Sequence, residues 1–296
     1  MSLITLHFLK TGLQTLIQDH GRIGYQSYGV PVSGVMDKKS AALANELVGN
    51  PSDAPVIEIT LLGPKIEIEG ECQIAITGAD LSPKINNQTI PLYTTVTVKN
   101  GDMLSFGAIK NGCRAYLAIG GEWQLSKWLN SYSAVPYAGK EATPKSVIEK
   151  GQQLTIKTSK RGIKKSIPKS EQPIYNNSQR IRVLPGPEFE EFSPYTIAYF
   201  FSRGYKLTND SNRMGYRLDG NLIDFKPKRE VISSGIIPGT IQITSSGQPV
   251  ILMADAQTVG GYYRIANVIS ADMDKLAQLK PGEEVWFSLI RLAEIR

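Results

Sequence analysis

Three glycine-rich stretches hold most of the side chains that could do chemistry. They are DHGRIGYQSYGVPVSGVMD at residues 19–37, SNRMGYRLDG at 211–220 and ADAQTVGGYYR at 254–264. Backbone N–H groups presented by glycines, with arginine and amide donors nearby, can hold an anion or a developing oxyanion. Glycine clusters in β proteins are also commonly turns, and an Arg–Asp pair is commonly a structural ion pair. Both interpretations stay open from the residues alone.

The usual signatures of a self-contained enzyme are absent from the sequence. It holds no GxxxxGK[ST] phosphate loop, no GxSxG nucleophile elbow and no lysine-bearing methionine motif that receives biotin. His7 and His20 are its only histidines, and Cys72 and Cys113 lie far apart in no metal-type spacing. We therefore expect no metal site, no standard nucleophile, and two buried reduced thiols in a cytoplasmic protein.

The positive charge of the chain is concentrated in one stretch. The sequence has 33 lysines and arginines against 27 acidic residues, a net charge of +6. Residues 157–169 contain six basic residues and no acid, which accounts for the whole excess. Because no aromatic side chains are interleaved with them, a solvated loop is favoured over nucleic-acid binding. No apolar run approaches the ~18 residues that span a bilayer, and the first ten residues lack the features of a secretion signal.

Most of the chain has the pattern of short strands. Alternating or β-branched runs bounded by Gly, Pro, Asn or Asp recur along it, as in VIEITLLGPKIEI and TTVTVKNGDMLSFG. Strands this short and numerous predict antiparallel sandwiches or barrels, and therefore a mainly β protein with a few helices. Three helices are predicted: within 36–51 with Asp37 as N-cap, within 188–202, and within 270–282 capped by Ser270.

The basic, serine-rich stretch at residues 157–179 is predicted to be a linker or surface excursion. It divides the chain into a domain at 1–156 and a domain at 180–296. RIGY at 22–25 echoes RMGY at 213–216, and NGDMLSF echoes PGEEVWF at a similar offset. The two echoes together indicate two related β-domains.

The same glycine-rich stretches carry a resemblance to a known family. The N-terminal sequence pattern of the allophanate hydrolase subunit 2 family resembles residues 19–64, DHGRIGYQSYGVPVSGVMDKKSAALANELVGNPSDAPVIEITLLGP. The match continues in order through RVLPGPEFEEF, SNRMGYRLDG and GTIQIT…GQPVILMADAQTVGGYYRIANVISADMDKLAQLKPGEEVWF, and it is weakest over residues 122–180. The family includes the C-type subunit of 5-oxoprolinase and the carboxyltransferase region of urea carboxylase.

The resemblance implies a fold of two cyclophilin-like β-barrel domains. It also implies the C-type subunit of an ATP-dependent 5-oxoprolinase, a hydrolase complex that converts 5-oxo-L-proline to L-glutamate, and a chain that is inactive in isolation. The implied partners are the B-type subunit, of the allophanate hydrolase subunit 1 family, and the A-type subunit, of the LamB/YcsF family. ATP is then used by the hetero-oligomer, and no cofactor is expected on this chain itself.

The resemblance also indicates which residues form the site. In a cleft near the partner, glycine N–H groups, Arg213 and Gln257 would stabilise an amide oxygen that gains negative charge. The predicted catalytic residues are Arg213, Gln257 and Asp255. The predicted substrate-binding residues are Arg22, Gly24, Tyr25, Ser33, Gly34, Asp37, Asn212, Gly215, Arg217, Gln242, Gly260, Gly261 and Tyr262.

The sequence departs from the family pattern between residues 120 and 141. A family Gly-Gly followed by Gly-Ser-Arg-Ser/Thr is replaced here by GGE at 120–122 and NSYS at 130–133. The glycine- and arginine-rich turn expected afterwards reads AGKE at 138–141. Tyr132 thus stands in place of an arginine, which leaves the substrate open.

Two alternative functions stay open. One is the carboxyltransferase component of a biotin-dependent urea or amide carboxylase, which would need a separate biotin carrier. The other is a regulatory protein that binds a kinase inhibitor resembling the B-type subunit. An adjacent gene of the LamB/YcsF type favours the 5-oxoprolinase, whereas a biotin carboxylase gene favours carboxyl transfer.

Overall fold

The computed structural model of the protein describes residues 2–136, 142–143, 145–158, 164–220, 222–225 and 231–294. Most of their regular secondary structure is β-strand, and they contain three α-helices, which confirms the predicted mainly β fold class. They divide into two compact units, Met1–Arg22 with Ser33–Tyr175, and Ile23–Val32 with Asn176–Arg296. The domain boundaries placed at 156 and 180 stay predictions. Among the described residues, no helix combines the length and apolar character that a membrane crossing requires.

The described part of the first unit has its strands in two sheets. The strands are β1 (Ser2–Lys10), β2 (Gln14–Gln18), β3 (Val56–Thr60), β4 (Lys65–Glu69), β5 (Cys72–Asp80), β6 (Lys84–Ile85), β7 (Gln88–Thr89), β8 (Val96–Val98), β9 (Asp102–Ser105), β10 (Asn111–Ile119), β11 (Glu122–Trp123) and β12 (Gln153–Thr158). One sheet has the order β11-β12-β1-β4-β9-β6-β7 and the other β2-β3-β10-β5-β8. Alternate residues such as Leu6, Ile66 and Ile57 point to a common core to which both sheets contribute.

Helix α1 (Lys38–Val48) has the predicted ends. The Asp37 side chain accepts a hydrogen bond from the Ser40 backbone N–H at 2.9 Å, and Gly49 ends the helix at a φ of 76°. Its buried face, around Ala44, packs against Ala75 and Ala118 of β5 and β10. The five-stranded sheet is therefore covered on both faces, which explains why its central strands read as continuous apolar runs.

The second unit is built around a closed barrel. Its described strands are β13 (Ser178–Pro185), β14 (Gly204–Leu207), β15 (Gly215–Asp219), β16 (Ser234–Gly235), β17 (Thr240–Ile243), β18 (Pro249–Leu252), β19 (Val259–Gly260), β20 (Tyr263–Val268) and β21 (Glu284–Leu289). The barrel order is β13-β20-β17-β18-β15-β14-β21, with β13 and β21 closing it in parallel. Strands β16 and β19 form a separate two-stranded sheet.

Helix α2 (Pro194–Phe201) lies in the predicted segment. Ser193 accepts a hydrogen bond from the Thr196 N–H at 3.1 Å, and Pro194 occupies the first helical position. The ring of Phe200 stacks on Phe287 of β21 with 5.1 Å between the centroids. This aromatic contact fixes α2 to the barrel.

Helix α3 (Ser270–Ala277) corrects one prediction, because Ser270 does not cap it. The helix begins at Ser270 itself, and the N-cap position is Ile269, which offers no side-chain acceptor. A residue already in helical conformation cannot play the half-extended N-cap role. The first turn is held instead by Asp272, whose carboxylate accepts bonds of 2.9 Å and 3.0 Å from Arg182 of β13 and one from Lys275.

The Asp272 ion pair makes the stability of the second unit depend on pH at acidic values. Burial by itself raises the pKa of Asp272, but hydrogen bonds from Arg182 and Lys275 outweigh it and hold that pKa at about 2. A carboxylate with a lowered folded-state pKa stabilises the fold above its unfolded pKa, and this stabilisation disappears as the pH falls through the folded pKa. Asp272→Asn should therefore cost about 2 kcal/mol at neutral pH. We expect the gap between the wild-type and D272N denaturant midpoints to close between pH 4 and pH 2; a constant gap would contradict this.

Cys72 and Cys113 are buried and form no disulfide, as predicted. Burial, and secondarily the charge of Glu71, raises the pKa of the Cys72 thiol to about 12. Because the thiolate is the reactive form, Cys72 is inert at neutral pH in the folded chain.

Candidate functional site

A cavity of about 210 Å³ on the second unit brings together six of the predicted site residues. They are Asn212, Gly215, Arg217, Gln242, Gln257 and Tyr262. The rest of the lining is Met214, Thr244, Val250 and Leu252. Residues from the second and third glycine-rich stretches, which lie about 40 positions apart in the sequence, therefore meet in one place.

The barrel register explains this convergence. Strand β18 lies between β15 and β17, and Val250 is the register partner of both Arg217 and Gln242. The three side chains consequently form a row across three strands, on one face of the barrel wall. Their neighbours Tyr216 and Ile251 are buried on the opposite face. The cavity thus lies on the outer face of the barrel.

Gln242 lines this cavity and contains a buried hydrogen-bond donor. Its side chain is 2% exposed, and its Nε2 atom has no hydrogen-bond partner among the described residues. A Cβ atom added at Gly260 would lie 2.9 Å from this nitrogen, so the Gln242 side chain would have to shift. An unsatisfied buried donor costs about 1–3 kcal/mol, which an acceptor oxygen of a ligand would recover.

The charge of the cavity favours anionic ligands. Arg217 is exposed, and within the described ranges its guanidinium forms no ion pair. None of the lining residues is acidic. A guanidinium can bind both oxygens of a carboxylate. The cavity therefore combines one cation, which suits a carboxylate, with the amide side chains of Asn212, Gln242 and Gln257, which suit a neutral oxygen.

Arg213 and Asp255 are not among the residues that line the cavity. Arg213 is 1% exposed, and its Nε and Nη2 donate to the two oxygens of Asp255, both at 2.8 Å. The Asp255 N–H also donates to the Arg213 carbonyl at 2.8 Å. This pair ties the segment that contains Asn212 and leads into β15 to the loop with Gln257. Its predicted catalytic role stays a prediction, and its burial supports a positioning role.

Gly261 and Arg264 complete the third glycine-rich stretch. Gly261 is exposed, and a Cβ there would lie 3.1 Å from the Ser233 Oγ atom. Arg264 forms a two-point ion pair with Glu188, with its Nε 2.7 Å from one carboxylate oxygen. Neither residue lines the cavity, and the predicted binding role of Gly261 stays a prediction.

The predicted residues of the first stretch have structural contacts within their own units. Arg22 is 1% exposed, donates to the Ser133 carbonyl oxygen, and places its guanidinium 4.7 Å from the centre of the Trp128 ring. Ser33 donates to the Ala134 carbonyl oxygen at 3.0 Å. Gly34 has a φ of 89°, and a Cβ there would meet the backbone of the preceding turn at 2.9 Å.

Gly24 and Tyr25 belong to the segment that groups with the second unit. Gly24 has a φ of 96° with open space at its Cβ position, and Tyr25 precedes a short 3₁₀ turn. Neither lines the cavity of about 210 Å³. A role of the first stretch in substrate binding stays a prediction.

Asp37 is part of a buried polar network. It is 1% exposed, and its Oδ2 accepts hydrogen bonds from the hydroxyls of Ser40 at 2.7 Å and Tyr175 at 3.1 Å. The Asp37 N–H donates to the Tyr116 hydroxyl, which donates to Glu58. Burial, with the nearby Glu58 and Asp37 charges, raises the pKa of Tyr116 well above its usual value. These contacts are those of a helix cap.

The divergent segment at 130–133 is held by contacts to Asp19 that its residue pattern did not predict. Asp19 accepts hydrogen bonds from the Ser131 hydroxyl at 2.6 Å, the Ser133 hydroxyl at 2.5 Å and the Tyr132 N–H at 2.7 Å. The serines at the alternate positions 131 and 133 are the sequence feature that could have indicated these contacts. The turn at 138–141 lies outside the described residues. In the described ranges, no group of three or more His, Cys, Asp or Glu side chains could hold a metal ion.

Several known proteins are similar to this chain in sequence and in fold. The sequence model of the carboxyltransferase domain, subdomain A and B, matches residues 28–289. The C-type subunit of 5-oxoprolinase from Escherichia coli (strain K12) is 36% identical over 295 residues, 98% of this chain and 92% of that protein. Urea amidolyase of Saccharomyces cerevisiae is 36% identical over 299 residues, 93% of this chain and 16% of that protein. The crystal structure of K. lactis urea amidolyase matches with a TM-score of 0.89 at 32% identity, over 97% of this chain and 19% of that one.

Proposed function

The chain belongs to the carboxyltransferase domain family, subdomains A and B, and we propose that it is the C-type subunit of an ATP-dependent 5-oxoprolinase. The observation that carries the proposal is the cavity of the second unit, with Arg217 as a free cation in the described chain and Gln242 as a buried amide donor. 5-Oxo-L-proline has one carboxylate and one planar lactam, which match these two groups. The similarity to the Escherichia coli 5-oxoprolinase protein over nearly the whole of both chains supports the same assignment.

In this proposal the cavity residues bind and polarise the lactam. The substrate carboxylate pairs with the Arg217 guanidinium, and the lactam oxygen accepts the Gln242 Nε2–H. When the ring opens, this oxygen gains negative charge, and a preorganised donor in a buried position stabilises that charge. The exposed Gln257 and Tyr262 at the cavity orient the ring. The Arg213–Asp255 pair holds the two walls in place, and the A-type and B-type subunits complete a complex that uses ATP.

Reconstitution tests the proposal directly. The chain is purified with its cognate A-type and B-type subunits, and glutamate released from 5-oxo-L-proline is measured with and without ATP. We expect glutamate only when ATP and all three subunits are present; the mixture lacking this chain is the control. An assembled complex that forms no glutamate would contradict the proposal and favour a regulatory binding protein.

Arg217→Ala should raise the KM for 5-oxo-L-proline more than it lowers kcat. A hydrogen bond to a charged group is worth about 1.5–3 kcal/mol, so we expect a rise of roughly 10- to 100-fold. Arg180→Ala is the matched control, because Arg180 is an exposed arginine of the same unit that lies 5.7 Å from the Trp286 ring and outside the cavity. Steady-state kinetics of the complex measure both; an unchanged KM in R217A would remove Arg217 from substrate binding.

A carboxyltransferase component of a biotin-dependent urea carboxylase is the second candidate. The structural likeness to K. lactis urea amidolyase favours it. In that function the biotin belongs to a separate carrier. Urea has no carboxylate for Arg217, so R217A would leave the KM for urea unchanged. Carboxylation of urea, measured with a biotin carboxylase and its carrier, distinguishes the two candidates.

A further inference from the structure

The row of side chains on the outer barrel wall continues past Gln242 to Arg264. Strand β17 lies between β18 and β20, and Arg264 of β20 is the register partner of Gln242. Partners in an antiparallel ladder carry their side chains on the same face of the sheet. Arg264 therefore stands beside Gln242 on the outer face, although it is not among the residues that line the cavity of the second unit.

A β-bulge gives Arg264 this place. Ile241 pairs with Ala266, so a regular ladder would set Ile265 opposite Gln242, but the register shifts and Gln242 pairs with Arg264. Ile265 is the extra residue, and its side chain is fully buried. Bulges re-aim side chains and are common next to functional sites. This bulge keeps an apolar side chain in the core and turns a cation toward the outer face.

Glu188 fixes the direction of the Arg264 guanidinium. Its carboxylate accepts hydrogen bonds from the Arg264 backbone N–H at 3.1 Å, from Nε at 2.7 Å and from Nη2. The Arg264 and Glu188 side chains are only 13% and 11% exposed. The Nη1 atom of Arg264 donates to the Gly235 carbonyl oxygen at 3.2 Å. One arginine therefore connects Glu188 to strand β16.

Strand β16 in turn holds β19, whose flanking residues line the cavity. Gly235 of β16 is the register partner of Val259 of β19. Gln257 lies two residues before β19 and Tyr262 two residues after it, and both line the cavity. The position of this small sheet, β16 with β19, consequently sets where the two side chains stand. An isolated two-stranded sheet is marginally stable, so its place depends on the contacts that hold it.

We propose that Glu188 and Arg264 are positioning residues of the second-unit cavity: they hold the small sheet in place, so that Gln257 and Tyr262 stay at the cavity. They act through β16 and β19 and do not touch the substrate. The proposal rests on the proposed function for the identity of that substrate, and on contacts within the second unit for the holding of the small sheet.

Hydrogen exchange of the full-length chain tests the holding of the small sheet without any substrate. The Ile236 N–H, next to β16, donates to the Thr258 carbonyl at 3.0 Å, and its exchange reports opening of the small sheet. Arg264→Lys keeps a positive charge beside Glu188 but has no second nitrogen to reach the Gly235 carbonyl. We expect Ile236 to exchange at least about 10-fold faster in this variant, the effect of losing one hydrogen bond from a charged donor.

Two further variants complete the exchange experiment. Glu188→Gln keeps the shape of the side chain but removes its charge, and it should also speed Ile236 exchange. Arg182→Lys is the matched control, because Arg182 makes the same kind of two-point pair, with Asp272 at helix α3, and should leave the Ile236 rate unchanged. A wild-type Ile236 rate in R264K overturns the role of Arg264, and a wild-type rate in E188Q overturns that of Glu188.

A double-mutant cycle in the assembled complex separates positioning from general stabilisation. R264K should raise the KM for 5-oxo-L-proline about fivefold, as for the loss of one hydrogen bond to the substrate. In a chain that already carries Gln257→Ala and Tyr262→Ala it should have almost no effect, because the side chains that it positions are absent. Equal factors in both backgrounds would overturn the positioning role. A complex that forms no glutamate even with the wild-type chain contradicts the proposed function alone, and the exchange rates still decide the holding of the small sheet.

Discussion

Replacing Arg213 by methionine should destabilise the second unit by about 3–5 kcal/mol, since removing one partner of a buried ion pair leaves an uncompensated charge. Both side chains of the Arg213–Asp255 pair are at most 1% exposed, and two bonds of 2.8 Å join them. The Asp255 carboxylate would remain in a site that water does not reach. Chemical denaturation of the purified chain, followed by circular dichroism, measures the loss.

Two further variants show whether the charge or the packing is responsible. Arg213→Met combined with Asp255→Leu removes both charges, and we expect most of the stability to return. Arg182→Met is the matched control: Arg182 also makes a two-point pair, but its side chain is 37% exposed and Asp272 keeps Lys275. Its loss should be clearly smaller. A double variant no more stable than Arg213→Met would show that shape, not charge, is what the site requires.

The same pair predicts a particular kinetic result in the assembled complex. If the pair positions the cavity walls, the double variant should be stable but less active, because its cavity walls are less well ordered. Arg213→Lys, which keeps the charge but not the planar fork, should retain part of it. If the well-folded double variant had wild-type kcat and KM, neither the predicted catalytic role nor the positioning role of Arg213 would stand.

Gln242→Leu should lower kcat of the proposed 5-oxoprolinase by about 100- to 1000-fold, the usual effect of removing one donor to a developing oxyanion. Its stability should remain within about 0.5 kcal/mol of wild type or rise, because Nε2 has no partner to lose among the described residues. Steady-state kinetics of the complex and denaturation of the isolated chain are the two measurements. A change in stability without a change in kcat would show that Gln242 is structural.

Gln179→Leu is the matched control for Gln242→Leu. Gln179 lies in the same barrel and is 9% exposed, but its Nε2 donates to the Asn176 carbonyl at 3.3 Å. The expected pattern is reversed: a measurable loss of stability and an unchanged kcat. Gly260→Ala provides a second test, because its added methyl would press on Gln242 Nε2 and should lower kcat without touching the substrate carboxylate.

The cavity of the second unit shows which site residues could be predicted from the sequence and which could not. Residue types in the glycine-rich stretches indicated the polar members Asn212, Arg217, Gln257 and Tyr262, since arginine and amide groups beside glycines suit oxygen ligands. Gln242 lies outside those stretches and was predicted with the family resemblance. The apolar members Val250 and Leu252 gave no such signal, because they look like any other strand residues. Their place became evident only with the strand register, which sets them between β15 and β17.

Some residues that look equivalent in the sequence differ in how deeply they are buried. Arg213 and Arg217 lie four positions apart in one motif, yet the first is buried on Asp255 and the second is exposed in the cavity. Within β15 the alternation of faces explains the difference between neighbours, but Arg213 precedes the strand, so periodicity could not place it. Asp37 is similar, because its chemistry suits a ligand or a helix cap equally well.

The sequence by itself determined the local structure: the strand-rich class, helix α1 with its Asp37 and Gly49 ends, and the family, through ordered motifs along nearly the whole chain. These features depend on residues close together in the chain, whose conformational preferences are local. The tertiary structure decided which of the polar residues face a cavity, which pair with each other, and which donors, at Gln242 and Trp123, have no partner in the described chain. Those outcomes depend on contacts between distant segments, and a one-dimensional pattern does not contain the distances that define them.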